Sequence, residues 1–563
     1  MFKKSDNTTV STQTNSTKST GAIPVKAKKA LSLSSLILMN IVAVVSLRGL
    51  PAESGYGLTS IFYYVFAAVS FLIPVALVAA ELASTYTEKG GVFRWVGEAF
   101  GPKLAFVSMF LLWAEVTIWF PTALTFGAVS LAYISPDQAT ADQLSNNKYF
   151  VLFIVLAIYW IATGLSSLGT GVFSKVAKWG GIIGTIIPVI VLIGFGVAYY
   201  AKEGAPENFN TDIFPQFKNF DNLVLAASIF LFYAGMEMNA IHVTELNKPK
   251  RNYPLAIMIS SIVTVLIFIF GTLSISLILP AKEFSLTNGL LITFLNAFKW
   301  AGVAWLGPII AIMLAVGVLA GIVTWVSGPS NGMLAIAKAG YLPRWFQHTN
   351  KKGVPTHLLL VQGLIVTALS IFFVVLPSVE AAYQILSQLT VILYLIMYLL
   401  MFAAAIYLRY SQPNRPRPYH IPGKYNIGML VVGGIGFMGS LLAFLLSFVP
   451  PSQINVGSPL IYVLMLIIAA IIFTLIPFII IKFKKDHWKD PQSDFAPFTW
   501  EVENANPGLV NHSSEKTEDL THKHFLQKAK NELKHIESEI VDKVKEEAQK
   551  LTHKNDQTPQ QQS

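Results

Sequence analysis

The stretch SLRGLPAESGYG, residues 46–57, decides how the first long apolar segment of this chain is interpreted. Arg48 follows at least ten uncharged residues and is accompanied by Gly49, Pro51 and Gly55. Glycine and proline are the residues that most readily interrupt a helix. A full positive charge therefore stands where a segment of membrane-spanning length is expected to lose its helical backbone.

The composition around this stretch is that of a membrane protein. Of 563 residues, 53% are hydrophobic and only 13% are charged, and the mean hydropathy is +0.55. Apolar residues recur in blocks of about 20, the length that crosses roughly 30 Å of hydrocarbon. The blocks predict an all-α polytopic membrane protein with about twelve transmembrane helices. These helices are expected to begin near Leu33, Leu58, Leu104, Tyr149, Val172, Leu223, Tyr253, Trp305, Thr356, Ala381, Ile427 and Pro459.

The distribution of charge predicts how the chain is oriented. The net charge is +10, but the lysines and arginines lie in short loops, and every second loop is basic. This alternation is the topological signal of a membrane protein, so we expect both termini in the cytoplasm and no binding to nucleic acid. The chain has no cysteine, which excludes disulfides and thiolate metal sites. No removable signal peptide is predicted, because the N-terminus is polar.

A second interrupted segment is predicted in FYAGMEMNAIHVTE, residues 232–245, where Gly235 stands beside the polar residues Glu237 and His242. A helix broken at bilayer depth is tolerated only where it lines a cavity or is buried in protein. The two segments are the first and the sixth spans, so four spans lie between them and they cross the membrane in opposite directions. Paired interruptions of this kind predict an inverted five-helix repeat and a secondary transporter with its site at the breaks.

The candidate substrate-binding residues are those at the two predicted breaks: Arg48, Gly49, Pro51, Ser54, Gly55, Tyr233, Gly235 and Glu237. An arginine at the centre of a membrane helix costs about 2.5–3.5 kcal/mol on insertion scales. We therefore expect Arg48 to face a wet cavity and to contact substrate, or a carboxylate that contacts substrate. The alternative is that Arg48 merely pairs with Glu53 or Glu237. Glu81 is expected to be a structural partner of a loop cation.

Other intramembrane residues are candidates for coupling and gating. Glu115 and Glu237 are the candidate carriers of a coupling proton. Trp113 and Trp119 are candidate gating aromatics, with simple packing as the alternative. Gly328 and Pro329 predict a kink near the inner end of the eighth span, with helix termination as the alternative. No metal site and no cofactor are predicted.

The chain divides into three predicted parts. Residues 1–30 form a disordered cytoplasmic tail, residues 31–485 the transmembrane transporter domain, and residues 486–563 a cytoplasmic C-terminal tail. Within 515–551 the apolar residues recur at three- and four-residue spacing, which predicts an amphipathic helix. Several histidines of this tail make a response to pH an open possibility.

Five stretches carry a resemblance to known proteins: IPVALVAAELAS (73–84), GGVFRWVGEAFGP (90–102), YAGMEMNAIHVTELNKPKRNYPLA (233–256), SGPSNGM (327–333) and GVPTHLL (353–359). In this order and spacing they resemble the amino acid–polyamine–organocation superfamily, and within it the bacterial glutamate/GABA antiporter branch. The resemblance implies a leucine-transporter-like fold of twelve spans, alternating access, and exchange of an amino acid for a related amino acid or its decarboxylated amine. It also implies a role in acid resistance, and a substrate site at 48–55 and 233–237.

One departure from that branch concerns the first break. Glutamate/GABA antiporters carry a Tyr-Glu-Tyr-Pro-like stretch where this chain has Leu47-Arg48-Gly49-Leu50-Pro51. A guanidinium in place of an acidic, aromatic surface changes what the pocket prefers, although arginine can itself hold a carboxylate through two parallel hydrogen bonds. The amino acid or amine carried, and the oligomeric state, stay open.

Competing classes are less well supported by the sequence. A proton-coupled amino acid permease without obligatory exchange is the main alternative. An ion channel would need a filter repeat, which we do not find. Enzymes are disfavoured because the chain has no HExxH, no Gly-x-Ser-x-Gly elbow and no phosphate-binding loop. The expected partners are therefore a small-molecule amino acid or amine and the lipid bilayer.

Overall fold

The computed structural model describes residues 32–505, apart from residues 89, 136, 208, 216–226, 238–245, 247, 280–282, 284, 377, 451–457 and 494. The described part of the chain is nearly all helical. Ten helices in it are long and apolar enough to cross a membrane, and two further spans are interrupted. Together they account for the twelve expected spans.

The helices are α1 Leu33–Val44, α2 Leu50–Ser54, α3 Thr59–Thr85, α4 Val92–Phe100, α5 Pro102–Ala132, α6 Gln138–Asn146, α7 Lys148–Ser167, α8 170–203, α9 Ser228–Tyr233, α10 Pro249–Ile278, α11 Gly289–Trp300, α12 Gly307–Ile336, α13 Thr356–Val375, α14 Val379–Ser411, α15 Ile427–Leu446, α16 Pro459–Lys482 and α17 Thr499–Ala505. Helix α5 lies at the centre of the bundle, since 89% of its most apolar 18-residue stretch is buried inside the protein. The corresponding share for α16, at the periphery, is 17%. The long helix α14 packs directly against α5.

The first span is interrupted two residues before Arg48. Helix α1 ends at Val44, Ser46 is extended with φ −131° and ψ 120°, and a short 3-10 turn then leads into α2. Pro51 lies in the first turn of α2, where its missing N–H leaves no helical hydrogen bond unmade. Gly49 and Gly55 have ordinary right-handed φ values of −85° and −66°. The predicted interruption is therefore present, but it lies at 45–46 rather than at the glycines.

The sixth span breaks at the predicted glycine. Helix α9 ends at Tyr233, Ala234 is extended with ψ 152°, and Gly235 has φ +109°. A positive φ of this kind is readily adopted only by glycine. Residues 238–245, which include His242, lie outside the described part of the chain.

The two interrupted spans lie against each other. The ring of Phe232 on the sixth span occupies the space that a Cβ on Gly49 would need. One helical turn away from this contact on each span, Ser228 Oγ donates a hydrogen bond of 2.9 Å to Glu53 Oε1. Because lipid cannot satisfy free backbone groups, this mutual burial explains how both breaks persist at membrane depth.

One end of the bundle is closed by a buried ion cluster around Glu81. Its carboxylate pairs with Arg409 and, at 3.3 Å, with Arg417, and it accepts the Ile421 N–H at 2.7 Å. Burial lowers the pKa of Arg417, and the Glu81 carboxylate opposes that shift. Glu81 is thus the structural partner of a loop cation, Arg417, as the sequence predicted, and it also pairs with Arg409 in the last turn of α14.

A segment beyond the last span, residues 495–501, folds back onto the same end of the bundle and is called the C-terminal strap. Phe498 is 1% exposed and stacks on Phe93, while Arg94 donates to the carbonyls of Ala496 and Pro497 at 2.8 and 2.9 Å. Thr499 N–H donates to Glu98 at 3.1 Å. The strap anchors the start of the C-terminal tail, whereas the predicted helix within 515–551 lies outside the described residues.

Candidate functional site

Arg48 is buried at the junction of the two interrupted spans. Its side chain is 5% exposed, and Nη1 donates hydrogen bonds of 3.3 Å to Thr122 Oγ1 of α5 and to Tyr383 OH of α14. The guanidinium carbon lies 5.1 Å from the ring centre of Trp119 and 5.9 Å from that of Phe232. Arg48 is therefore surrounded by aromatic faces and neutral hydroxyl groups.

No carboxylate among the described residues pairs with Arg48. Its Nε has no hydrogen-bond partner, and both predicted alternatives are engaged elsewhere: Glu53 bonds to Ser228, and Glu237 bonds to two tyrosines. Among the described residues, Arg48 therefore does not form the structural ion pair with Glu53 or Glu237 that the sequence left as the alternative. A buried cation with only neutral neighbours is costly unless an anion joins it.

A small cavity adjoins the Arg48 guanidinium. It has a volume of about 20 Å³, and its walls are Arg48, Ala52, Ser228, Leu231, Phe232, Leu286, Tyr383, Gln384, Ser387 and Gln388. A cavity of this size has room for about one water molecule. In the conformation described, this cavity is too small for an amino acid, which could enter it only after the cavity walls separate.

Of the ten residues in the cavity wall, the sequence analysis identified only Arg48 as a candidate, and three of the nine that it missed share one helix face. Gln384, Ser387 and Gln388 follow one another at helical i, i+3, i+4 spacing on α14, and all three are buried. That spacing places them on one face of the helix. Their signal in the sequence is three polar side chains sharing a face inside an apolar span.

Glu237 occupies a separate polar cluster just after the break in the sixth span. Tyr394 OH donates to Oε1 at 2.5 Å, Tyr398 OH donates to Oε2 at 2.6 Å, and the Gly235 N–H donates to Oε2 at 3.2 Å. The two tyrosines lie one turn apart on α14, with ring centres 4.6 Å apart. Three converging donors suit an ionised carboxylate, which can only accept hydrogen bonds.

The remaining predicted residues at the breaks have structural contacts. Ser54 Oγ donates to the carbonyl of Pro51 at 2.8 Å, and Tyr233 OH donates to the carbonyl of Tyr64 at 3.2 Å. Both contacts satisfy polar groups inside the bundle. None of Gly49, Pro51, Ser54, Gly55, Tyr233, Gly235 and Glu237 is among the residues that form the cavity wall.

The predicted coupling and gating residues lie in the same core. Glu115 is buried on α5 with Oε1 unpaired, and Trp113 packs 6.2 Å from Phe110. Trp119 connects Arg48 to Trp325, with the two indole rings 6.0 Å apart. Trp119 is thus the predicted gating aromatic that the structure brings to Arg48.

The helix does not end at Gly328 and Pro329, where a kink or helix termination was predicted. Helix α12 runs continuously through Pro329 to Ile336, and the non-helical residue is Gly340, with φ +95°. Proline removes one helical hydrogen bond but does not end this helix. Whether Gly328 and Pro329 take part in an inner gate therefore stays a prediction.

Gly49 and Gly55, which follow the first break, give a prediction with its own control. A Cβ at Gly49 would overlap the Phe232 ring, whereas a Cβ at Gly55 would meet no atom within 4 Å. Overpacking of a well-packed core costs about 1–3 kcal/mol. We expect Gly49→Ala to lower the melting temperature of the purified protein and Gly55→Ala to leave it unchanged. Equal melting temperatures for the two variants would contradict the packing described here.

Comparison with known proteins places the chain in a family. A profile described as "Amino acid permease" matches residues 31–499, which include both interrupted spans and the C-terminal strap up to Thr499. The chain belongs to the amino acid permease family. Because this family belongs to the amino acid–polyamine–organocation superfamily, the resemblance and fold class predicted from the sequence are confirmed.

Individual relatives agree with this assignment. A glutamate/gamma-aminobutyrate antiporter of Lactococcus lactis is 32% identical over 86% of this chain and 96% of its own length. An uncharacterized transporter of Legionella pneumophila is 39% identical over 81% and 97%, and a probable agmatine/putrescine antiporter of Lactococcus lactis is 26% identical over 81% and 96%. This member of the permease family is accordingly an amino acid transporter of the membrane and not an enzyme.

Proposed function

We propose that this permease exchanges an amino acid for a related amino acid or its decarboxylated amine across the bacterial cell membrane. The observation that carries the proposal is Arg48, a buried guanidinium without a carboxylate partner among the described residues, beside a small cavity. The antiporters among its relatives support exchange as the mode of transport. The basic loops support an orientation with both termini in the cytoplasm.

In this proposal Arg48 binds a hydrogen-bond acceptor of the substrate, the oxygen of a carboxylate or of a carboxamide. The guanidinium fork matches a carboxylate through two parallel hydrogen bonds, and Nε is unpaired. Trp119 and Phe232 hold the guanidinium from the sides, at 5.1 and 5.9 Å, and so fix its direction.

Glu237 is proposed to link substrate binding to the movement of the sixth span. Its three hydrogen bonds join the backbone of the break, at Gly235, to two tyrosines of α14. A change in the charge of this carboxyl group would alter all three contacts together. Glu237 therefore remains the favoured site for a coupling proton, with Glu115 as the second candidate.

Exchange is tested by counterflow in proteoliposomes that contain the purified full-length protein. Vesicles are preloaded in turn with glutamate, γ-aminobutyrate, tyrosine, histidine, ornithine and the matching amines, and uptake of each labelled compound is measured. We expect uptake only into vesicles that contain a matching internal partner. Equal uptake into empty vesicles under an imposed proton gradient would instead establish a proton-coupled permease.

A further inference from the structure

Gln388 is the most conspicuous unpaired polar group beside Arg48. Its side chain is 0% exposed, and neither the amide nitrogen nor the amide oxygen has a hydrogen-bond partner within the described structure. It lines the same cavity as Arg48, together with Ser387, whose Oγ is also unpaired. Buried polar groups in native proteins almost always have partners, so a buried amide with both atoms free calls for an explanation.

A second buried glutamine, Gln362, lies away from the cavity and provides a comparison for the hydrogen bonding of Gln388. Gln362 on α13 is also 0% exposed, but its Nε2 donates to Thr117 Oγ1 at 3.1 Å and its Oε1 accepts from Ser330 Oγ at 3.4 Å. The same residue type at the same burial is thus satisfied away from the cavity and unsatisfied beside it. The difference points to a ligand as the missing partner of Gln388.

The chemistry of that ligand follows from the groups that it must satisfy. Arg48 Nε–H and the Gln388 amide N–H need an acceptor, whereas the Gln388 carbonyl needs a donor. An ionised carboxylate offers only acceptors, and an alkylammonium group offers only donors. A carboxamide offers an acceptor and a donor side by side, and therefore complements both residues at once.

We propose that Gln388 is a specificity-determining residue and that Arg48 and Gln388 together bind a terminal carboxamide on the side chain of the transported amino acid. This inference rests on the proposed transport function and narrows the substrate to amide-bearing amino acids. The α-ammonium and α-carboxylate groups of the substrate are then left to polar groups other than Arg48 and Gln388.

The experiment is competition in counterflow with labelled L-glutamine as the probe. For the wild-type protein we expect L-glutamine and L-asparagine to compete at least tenfold better than L-glutamate, γ-aminobutyrate or putrescine. We expect Gln388→Leu to raise the KM for L-glutamine about tenfold or more and to remove the preference for amides, because a site built to hydrogen-bond a group discriminates strongly against analogues that lack it. Gln362→Leu is the matched control, expected to lower the melting temperature while leaving the order of competitors as in the wild type.

The outcomes separate this inference from the proposed function. Efficient counterflow of amino acids without a preference for amides in the wild type would overturn the role of Gln388 and leave the transport function intact. So would an unchanged order of competitors in Gln388→Leu. Should Gln388→Leu not be obtained in folded form, Gln388→Glu provides a variant of similar size. The order of competitors measured with the wild-type protein also tests the inference without any variant. If the wild type shows no counterflow with any amino acid, the proposed function itself fails.

Discussion

Arg48→Ala is expected to abolish transport. Alanine removes the cation beside the cavity, and hydrogen bonds to charged groups are worth about 1.5–3 kcal/mol each. The loss of two such bonds to a substrate carboxyl or amide group corresponds to a fall in uptake of about 100-fold or more. The measurement is initial-rate uptake into proteoliposomes that contain equal amounts of inserted protein.

Two controls separate a binding role of Arg48 from a structural one. Membrane insertion and monodispersity of Arg48→Ala should match the wild type, because the residue has only neutral partners, Thr122 and Tyr383, among the described residues. Arg48→Lys keeps the charge but loses the planar fork, so we expect only partial recovery of uptake. Normal transport kinetics in Arg48→Ala would refute a role for this residue in substrate binding.

Glu237→Gln is the second substitution with a large expected effect, a loss of transport of about 100-fold. Glutamine keeps the shape of the side chain but removes the negative charge on which the donors of Tyr394, Tyr398 and Gly235 converge. Hydrogen bonds to a charged group are worth about 1.5–3 kcal/mol each, so the loss of the charge weakens these contacts.

The comparison variant for Glu237→Gln is Tyr394→Phe, which removes one donor and keeps the carboxylate. We expect it to reduce transport about tenfold, since one hydrogen bond to a charged group is lost. Uptake is measured between pH 5 and pH 8 for both variants, and the pH dependence of the wild type should flatten only in Glu237→Gln. Wild-type rates and an unchanged pH profile in that variant would exclude Glu237 from coupling.

The number of spans and the existence of both breaks could be predicted from the sequence because they depend on local signals. Apolar blocks near 20 residues long report directly on bilayer thickness. Gly235 has the positive φ that its residue type suggests. Glu81 pairs with a loop cation, Arg417, as expected for a carboxylate near the end of a span.

The position of the first break could not be predicted, because its cause is tertiary. Val45 and Ser46 carry no helix-breaking signal, whereas Pro51 begins a helix and Gly49 is needed for contact with Phe232. The same limitation hid Gln388. Its importance depends on being close to Arg48, 340 positions earlier in the chain, and on the absence of the partners that Gln362 has.

The absence of cysteine permits a direct measurement at the proposed site. Ala52 lines the cavity, and Asn146 is an exposed residue at the end of α6. In proteoliposomes, Ala52→Cys and Asn146→Cys are labelled with a charged, water-soluble thiol reagent, with and without the amino acid that shows the fastest counterflow. The account predicts that the amino acid slows labelling at position 52 and leaves labelling at position 146 unchanged. Equal labelling of position 52 in the presence and absence of substrate would contradict a substrate site beside Arg48.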